Sequence, residues 1–410
     1  MFLKRKKNKT LAIITLYVFT LIGFIFGEDS SGGSIKDFSY TYQFVLQISV
    51  NVISGVDEMM QAHKNHFPLH YIFVGFLLKV FKNIYIVKII FFHISLLLPL
   101  IFYKCLKIEY KNKISIFFFS LLIFFSPYFR SSAIWPTTDN TALIFFLLFI
   151  YFFLKYAENN KLNYYLYSLF FLFLAFYTRQ YYILFIIYSF LIYKHDKIKI
   201  SYKKYLIIIV LILSLSMPAI FNIFYYYVPD ISNLSNYYSK NFLNNFYIVP
   251  TIFFFYLLPF LIFSKKNMHL FINYLKNNLL IFISITAIML IFSKYFTYFL
   301  NPHGGGIIYK LFYLHINEYV FFIISSFSLM TIFFFFKENF KNNFLLLIII
   351  FLCFYFNTIF QKYFDPMLII LFSTFFKSLP IKIEIENFKN NYLKYYSYYF
   401  LFYLISLIYH

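Results

Sequence analysis

Charge is scarce in this 410-residue chain. Asp, Glu, Lys and Arg make up only 12 % of it, while 62 % is hydrophobic and the mean hydropathy is +0.72. A soluble domain carries about 25 % charged residues, so an ordinary cytosolic enzyme is excluded. Glycine and proline are few as well, at 9 and 11 residues, which excludes collagen-like and linker-type chains. Two cysteines, Cys105 and Cys353, are too few for a disulfide framework. What the chain does have is apolar and aromatic mass: 65 Phe and 42 Tyr accompany a single Trp, so intrinsic disorder is excluded too. The apolar stretches run continuously for about 14–20 residues instead of alternating, which predicts membrane-crossing helices and not a barrel.

Acids are rarer than bases, 15 against 36 Lys+Arg, for a net charge of +21. The lysines flank hydrophobic runs and form no stripe interleaved with base-stacking aromatics, so no nucleic-acid partner is expected. Lys, Asn, Ile, Phe and Tyr are abundant together, as an AT-rich genome dictates. The rest of the excess reads as topology.

A basic amino end, Lys4-Arg5-Lys6-Lys7 and Lys9, precedes an apolar stretch from Leu11 to Phe26. Positive flanks stay cytoplasmic, and the small-residue cleavage pattern after the stretch is poor, so it reads as an uncleaved first span. Further spans are expected near 85–106, 114–128, 141–156, 163–177, 180–193, 205–228, 247–264, 279–293, 319–336, 343–360, 365–376 and 393–408. Several are shorter than the ~20 residues a hydrocarbon core requires. Leu69–Phe81 is taken as a short helix half-embedded on the outer side. Lys104/Lys107/Lys111/Lys113, Lys194/Lys197/Lys199/Lys203/Lys204 and Lys265/Lys266 then fall inside, as the positive-inside rule asks. The expectation is an all-α, polytopic transmembrane helical bundle of about thirteen spans, amino end in the cytoplasm and carboxyl end out. It forms a single integral membrane domain over 1–410, multi-pass in a bacterial cytoplasmic membrane, with membrane lipid as its surroundings. Residues 28–84 make a first extracytoplasmic loop containing helices.

That topology gathers Glu28, Asp29, Asp37, Asp57, Glu58, Asp139, Asp230, Glu318 and Asp365 on the outer face, where bases are fewer. Acids crowded beside a membrane either solvate a loop or mark a place for chemistry.

The first outer loop runs from Gly27 through Asp37, Ser39 and Tyr40 into an amphipathic stretch, then Asn65-His66-Phe67-Pro68-Leu69-His70-Tyr71. An acid soon after the first span, a Tyr a few residues on, an amphipathic helix, and a Pro-x-x-Tyr segment leading into a short outer helix resemble the opening of the GT-C membrane glycosyltransferases. These enzymes take a sugar from a polyprenyl-phosphate carrier on the non-cytoplasmic face. The resemblance implies Asp37 as general base, with the pair Asp57-Glu58 in competition. Glycosyl transfer with inversion does need a carboxylate to accept the acceptor hydroxyl's proton, and cations against the leaving phosphate. Read alone, Asp37 is equally suited to capping the helix that follows.

Three more segments extend the likeness. Arg130-Ser-Ser-Ala-Ile-Trp135-Pro-Thr-Thr-Asp139-Asn places Asp139 where GT-C chains commonly carry an acid in the second outer loop, or where a helix cap belongs. In Tyr177-Thr-Arg179-Gln180, Arg179 either snorkels to the interface or offers its planar fork of donors to a phosphate. The eukaryotic dolichyl-phosphate-glucose-dependent glucosyltransferases that add the last glucose to the N-glycan precursor have a similar Arg-Gln. Gln361-Lys362-Tyr363-Phe364-Asp365-Pro366 is similar to the basic-Tyr-x-x-Pro segment with which many GT-C chains re-enter the membrane, Lys362 standing where Arg is usual. The remaining feature is Asn301-Pro302-His303-Gly304-Gly305-Gly306, followed by Tyr309-Lys310. Consecutive glycines make either a tight turn or hinge, or an anion cradle to which Lys310 and His303 add charge.

The expected activity is hexosyl transfer from a polyprenyl-phosphate donor to a lipid-linked or cell-surface glycan. Asp37 serves as base, Asp139, Glu58 and Asp57 as further acids, and Arg179, Gln180, Lys310, His303, Lys362 and Tyr363 as donor ligands. No cofactor is required; a divalent cation, Mg or Mn, is compatible. The rivals are a polysaccharide polymerase or ligase and a lipid-linked glycan flippase or transporter. A polymerase or ligase usually has a large, arginine-bearing late loop, and a transporter shows internal repeats; neither is present.

Overall fold

The computed structural model describes residues 2–62, 67–195, 202–227, 242–298, 304–355 and 357–409. All regular structure among them is helical. The chain opens with α1 (Phe2–Ile25), and the first outer loop folds into α2 (Ser34–Val50), α3 (Val52–Ala62) and α4 (Leu69–Phe81). These three helices pack as a unit around Val45, Ile48, Met59, Met60 and Val74. Gly55 makes the close approach possible, since a β-carbon there would press into the backbone of Ile48. The helix expected over Leu69–Phe81 is therefore present.

A long apolar element follows, α5 (Ile84–Ser95) continuing into α6 (Leu97–Glu109). Asn83 starts it by accepting the Tyr85 N–H, and Asn112 does the same for α7 (Lys113–Ser120). The run expected as one span over 114–128 is instead bent by 66°. Pro127 has no N–H to give and forces Ser126 into an extended conformation, so the chain restarts as α8 (Pro127–Ile134). Beyond it, α9 (Thr138–Asn159) and α10 (Leu162–Phe176) form a closely packed antiparallel pair.

Among the described residues, five helices are long and apolar enough to cross a membrane: Ile84–Glu109, Thr138–Asn159, Tyr202–Tyr226, Phe242–Ile262 and Glu318–Phe336. Counting each bent pair as one span raises that to seven, the second pair being Lys265–Asn277 with Leu279–Tyr295, bent by 77°. A total of about thirteen requires shorter helices, such as Leu162–Phe176 and Phe340–Cys353, to cross as well.

Aromatic rings fill the interior, as with Phe119 set edge-on to Phe388 at 5.1 Å and Phe336 stacked on Phe376 at 4.2 Å. Polar side chains stitch the helices where lipid offers no hydrophobic drive. Asn343 bridges the carbonyls of Phe336 and Lys377 and accepts the Lys377 N–H, and Glu386 accepts the N–H groups of Lys111 and Asn112.

The deepest polar feature ties α1, α8 and the last helix, Phe388–Tyr409, together. Arg130 is buried and forks onto the buried carboxylate of Glu28, its Nε donating to Oε1 at 2.8 Å and Nη2 to Oε2. Ser30 and Tyr403 donate to the same carboxylate at 2.7 and 3.0 Å, and Arg130 also reaches the Phe19 carbonyl. The rings of Phe19 and Tyr403 pack against the guanidinium.

Candidate active site

The first acid of the site is placed by another acid. The backbone N–H groups of Gly33, Ser34 and Ile35, unpaired at the start of α2, all donate to the carboxylate of Asp29. Capping therefore falls to Asp29, which corrects the reading of Asp37 as the cap. Asp37 sits in the first turn of α2, and its Oδ2 accepts from Lys362 Nζ at 3.0 Å.

The second acid stands at the start of α9. His70 on α4 fixes this entry: one ring nitrogen meets the Pro136 carbonyl at 3.2 Å and the other the Thr141 hydroxyl at 2.9 Å. A carbonyl only accepts, so Nε2 carries the proton and Nδ1 accepts from Thr141. Asp139, in the first turn, then accepts from Arg179 Nη2 at 2.6 Å. Arg179 follows the end of α10 in an extended conformation, and its N–H closes on the Ala175 carbonyl. The side chain is 11 % exposed, and its buried Nε–H has no acceptor among the described residues.

Lys362 joins the two ion pairs. It lines a small cavity with Asp139, Asn140, Tyr128, Tyr181, Tyr182, Tyr363 and Asp365. Burial works against its charge, but Asp139 and Asp37 nearby lift the ammonium above the ordinary lysine range. Arg179 is likewise held charged: burial opposes it, and Asp139 foremost outweighs that penalty. Tyr363 stacks on Phe354 at 5.6 Å and lies 6.0 Å from the Tyr181 ring. Tyr71, of the Pro-x-x-Tyr segment, reaches the same charges from α4 and hydrogen-bonds Thr41 of α2. Segments around residues 37, 71, 139, 179 and 362 thus meet at one place.

Other expected site residues lie elsewhere or add little. Asp57 accepts from Tyr226 at 2.7 Å and from Gln61 at 2.9 Å, and Glu58 is exposed beside it on α3; no described contact joins either to the two ion pairs. Lys310 rests over the Tyr409 ring at 4.2 Å, its ammonium lowered by burial. Gln180 begins the turn after Arg179 and is half-buried. His303 lies outside the described residues.

The glycine run makes a turn and not a cradle. Gly305 and Gly306 have φ of +87° and +77°, which only glycine adopts without strain. The N–H of Gly305 is committed to the Ile359 carbonyl, and that of Ile307 to Gln361 Oε1.

One residue escaped the sequence reading as a neighbour of the cavity. Asp365 was counted only as an outer acid, yet it is buried against the cavity and accepts from Ser126 at 2.5 Å. Its place three residues after Lys362 in the quoted segment was the available signal.

Chemically, the cluster offers two carboxylates and two cations. Mg or Mn would want several oxygen ligands, but Asp37 and Asp139 are each already paired with a cationic side chain. Among the described residues no three His, Cys, Asp or Glu side chains gather as a metal site would require. The residues do not fit a metal centre. The two cations are balanced by the same two carboxylates, and the Arg179 donor left without a described acceptor, Nε–H, is buried.

No curated protein and no solved structure matches the chain. Residues 65–221 match the family described as dolichyl-phosphate-mannose-protein mannosyltransferase, a stretch that includes Asp139 and Arg179 and leaves Asp37 and Lys362 outside it. That match bears out, over those residues, the likeness to GT-C membrane glycosyltransferases that depend on polyprenyl-phosphate sugars.

Proposed function

We propose that this protein transfers a hexose from a polyprenyl-phosphate donor to a lipid-linked or cell-surface glycan at the extracytoplasmic face of the membrane. The observation that carries the reading is the meeting of Asp37, Asp139, Arg179 and Lys362, four charges far apart in the chain, beside one cavity. The family matched by residues 65–221 is described by mannose carried on dolichyl phosphate, so mannose is the first donor sugar to try.

In the reaction the acceptor hydroxyl attacks the anomeric carbon from the face opposite the phosphate. Its proton passes to a carboxylate of Asp37, the new C–O bond forms, and the bond from carbon to phosphate oxygen breaks. The polyprenyl phosphate leaves with the electron pair. Arg179 and Lys362 face that growing negative charge, with Asp139 orienting the guanidinium. Asp37 suits the base because its side chain is about half exposed and open to an acceptor, whereas Asp139 is more enclosed. The site belongs to the outer side of a single membrane domain whose amino end is cytoplasmic, as the lysine distribution indicates.

The test is transfer of radiolabelled mannose from a synthetic polyprenyl phosphate by the purified chain, run beside uptake of the same compound into proteoliposomes. Transfer lost in Asp37→Asn, with membrane insertion intact, supports the reading. Uptake without transfer overturns it in favour of a transporter.

A further inference from the structure

The segment that presents Lys362 is held by hydrogen bonds to partners other than Asp37. Gln361 is buried, and both ends of its carboxamide are used: Oε1 accepts the Ile307 N–H at 2.9 Å and Nε2 donates to the Tyr256 hydroxyl at 3.3 Å. Two residues earlier in the pairing, Gly305 N–H donates to the Ile359 carbonyl at 2.8 Å, and Ile359 N–H donates to the Tyr298 hydroxyl at 3.1 Å. Four hydrogen bonds therefore lash residues 359–361 to the glycine turn and to two tyrosines. The turn fits there only as glycine, because a β-carbon at Gly305 would meet the Tyr309 ring. Lys362 follows in the same short turn, Gln361–Tyr363, and its long flexible stem carries only one bonded end, on Asp37.

We infer that Gln361 is a positioning residue. By pinning the glycine turn to the 359–361 segment it holds Lys362 where a donor phosphate is met, and the glycines act on that phosphate only through Lys362. This rests on the reading of Lys362 as a phosphate ligand. A lysine ammonium has no fixed geometry of its own, so its placement has to come from the backbone that carries it. An untethered backbone spreads the ammonium over more positions and weakens every contact it makes.

The experiment measures farnesyl phosphate binding to the full chain in nanodiscs for four proteins: wild type, Lys362→Met, Gln361→Ala and the double variant. Tyr298→Phe, which removes one lash and keeps the ring, serves if Gln361→Ala does not fold. Loss of a hydrogen bond of this kind corresponds to about a fivefold change. Lys362→Met and Gln361→Ala (or Tyr298→Phe) should each weaken binding by that order, and the second change should add nothing once Lys362 is gone. Equal weakening in both backgrounds, or none from Gln361→Ala and Tyr298→Phe, overturns the positioning role while leaving Lys362 as ligand. Unchanged binding in Lys362→Met sinks the ligand reading itself, and the positioning role with it.

Discussion

Two sets of charges in this protein are built in opposite ways. Around Arg130 and Glu28 everything is closed: the carboxylate takes two bonds from the guanidinium, one from Ser30 and one from Tyr403, and the rings of Phe19 and Tyr403 pack against the arginine. Around Arg179, Asp139, Lys362 and Asp37 the pairing is thinner. Asp37 is half exposed, and the Arg179 Nε–H lacks an acceptor among the described residues. A saturated network has nothing left to offer a ligand and acts as a rivet between helices. An unsaturated one costs stability and keeps donors for a substrate, which is the mark of a functional site.

The sharpest break of that contrast is Glu28→Gln or Arg130→Met. Stripping one partner from a buried ion pair costs about 3–5 kcal/mol, so the folded yield and the thermal unfolding temperature in detergent should fall steeply. Replacing both residues together should restore much of that stability. In the open cluster, Asp37→Asn should lower transfer at least ~100-fold while the unfolding temperature stays put, since a half-exposed ion pair contributes less than about 1 kcal/mol. Full activity in this variant would shift the base to Asp57 or Glu58. A smaller effect is expected of Arg179→Lys, which keeps the charge and loses the fork: kcat and kcat/KM for the donor should fall together by about tenfold with KM less affected, as steady-state assays against donor concentration would reveal. Glu58→Gln, exposed on α3 away from both clusters, should change neither transfer nor stability. Cysteines introduced at 37 and 139 should react with an impermeant thiol reagent from the same side of the membrane. Reaction from opposite sides would contradict the meeting of the Asp37–Lys362 and Asp139–Arg179 pairs beside one cavity.

The helices were legible from apolar run length. The spans expected over 205–228, 247–264 and 319–336 correspond to Tyr202–Tyr226, Phe242–Ile262 and Glu318–Phe336. The bend at Ser126 was missed although Pro127 was in plain view, because run length does not register direction. Asp37, Asp139 and Lys362 were singled out through the resemblance to GT-C chains, and Arg179 also as an isolated charge between apolar runs. Their partners were not. Lys362 and Asp37 are 325 residues apart, and nothing local to either names the other. Arg130 and Glu28 were quoted in passing, without their bond, for the same reason. A signal did exist: the chain has only three arginines, and a genome that favours lysine keeps an arginine where a fork is needed. The glycine run misled in the opposite direction, since composition shows that N–H groups are accessible but not that Ile359 and Gln361 already occupy them.

The helix Tyr202–Tyr226 keeps only 11 % of its apolar window inside the protein, against 83 % for Phe242–Ile262. Its hold on the body includes two phenols: Tyr226 on Asp57, and Tyr177, whose hydroxyl slips between the Ala219 N–H and the Leu215 carbonyl just past Pro218. Lipid tails accept any aliphatic shape, so mutation can shuffle Ile, Leu, Val and Phe along that outer stave almost freely. The inner one, wedged among rings on every side, is where descent from a common ancestor should still be readable.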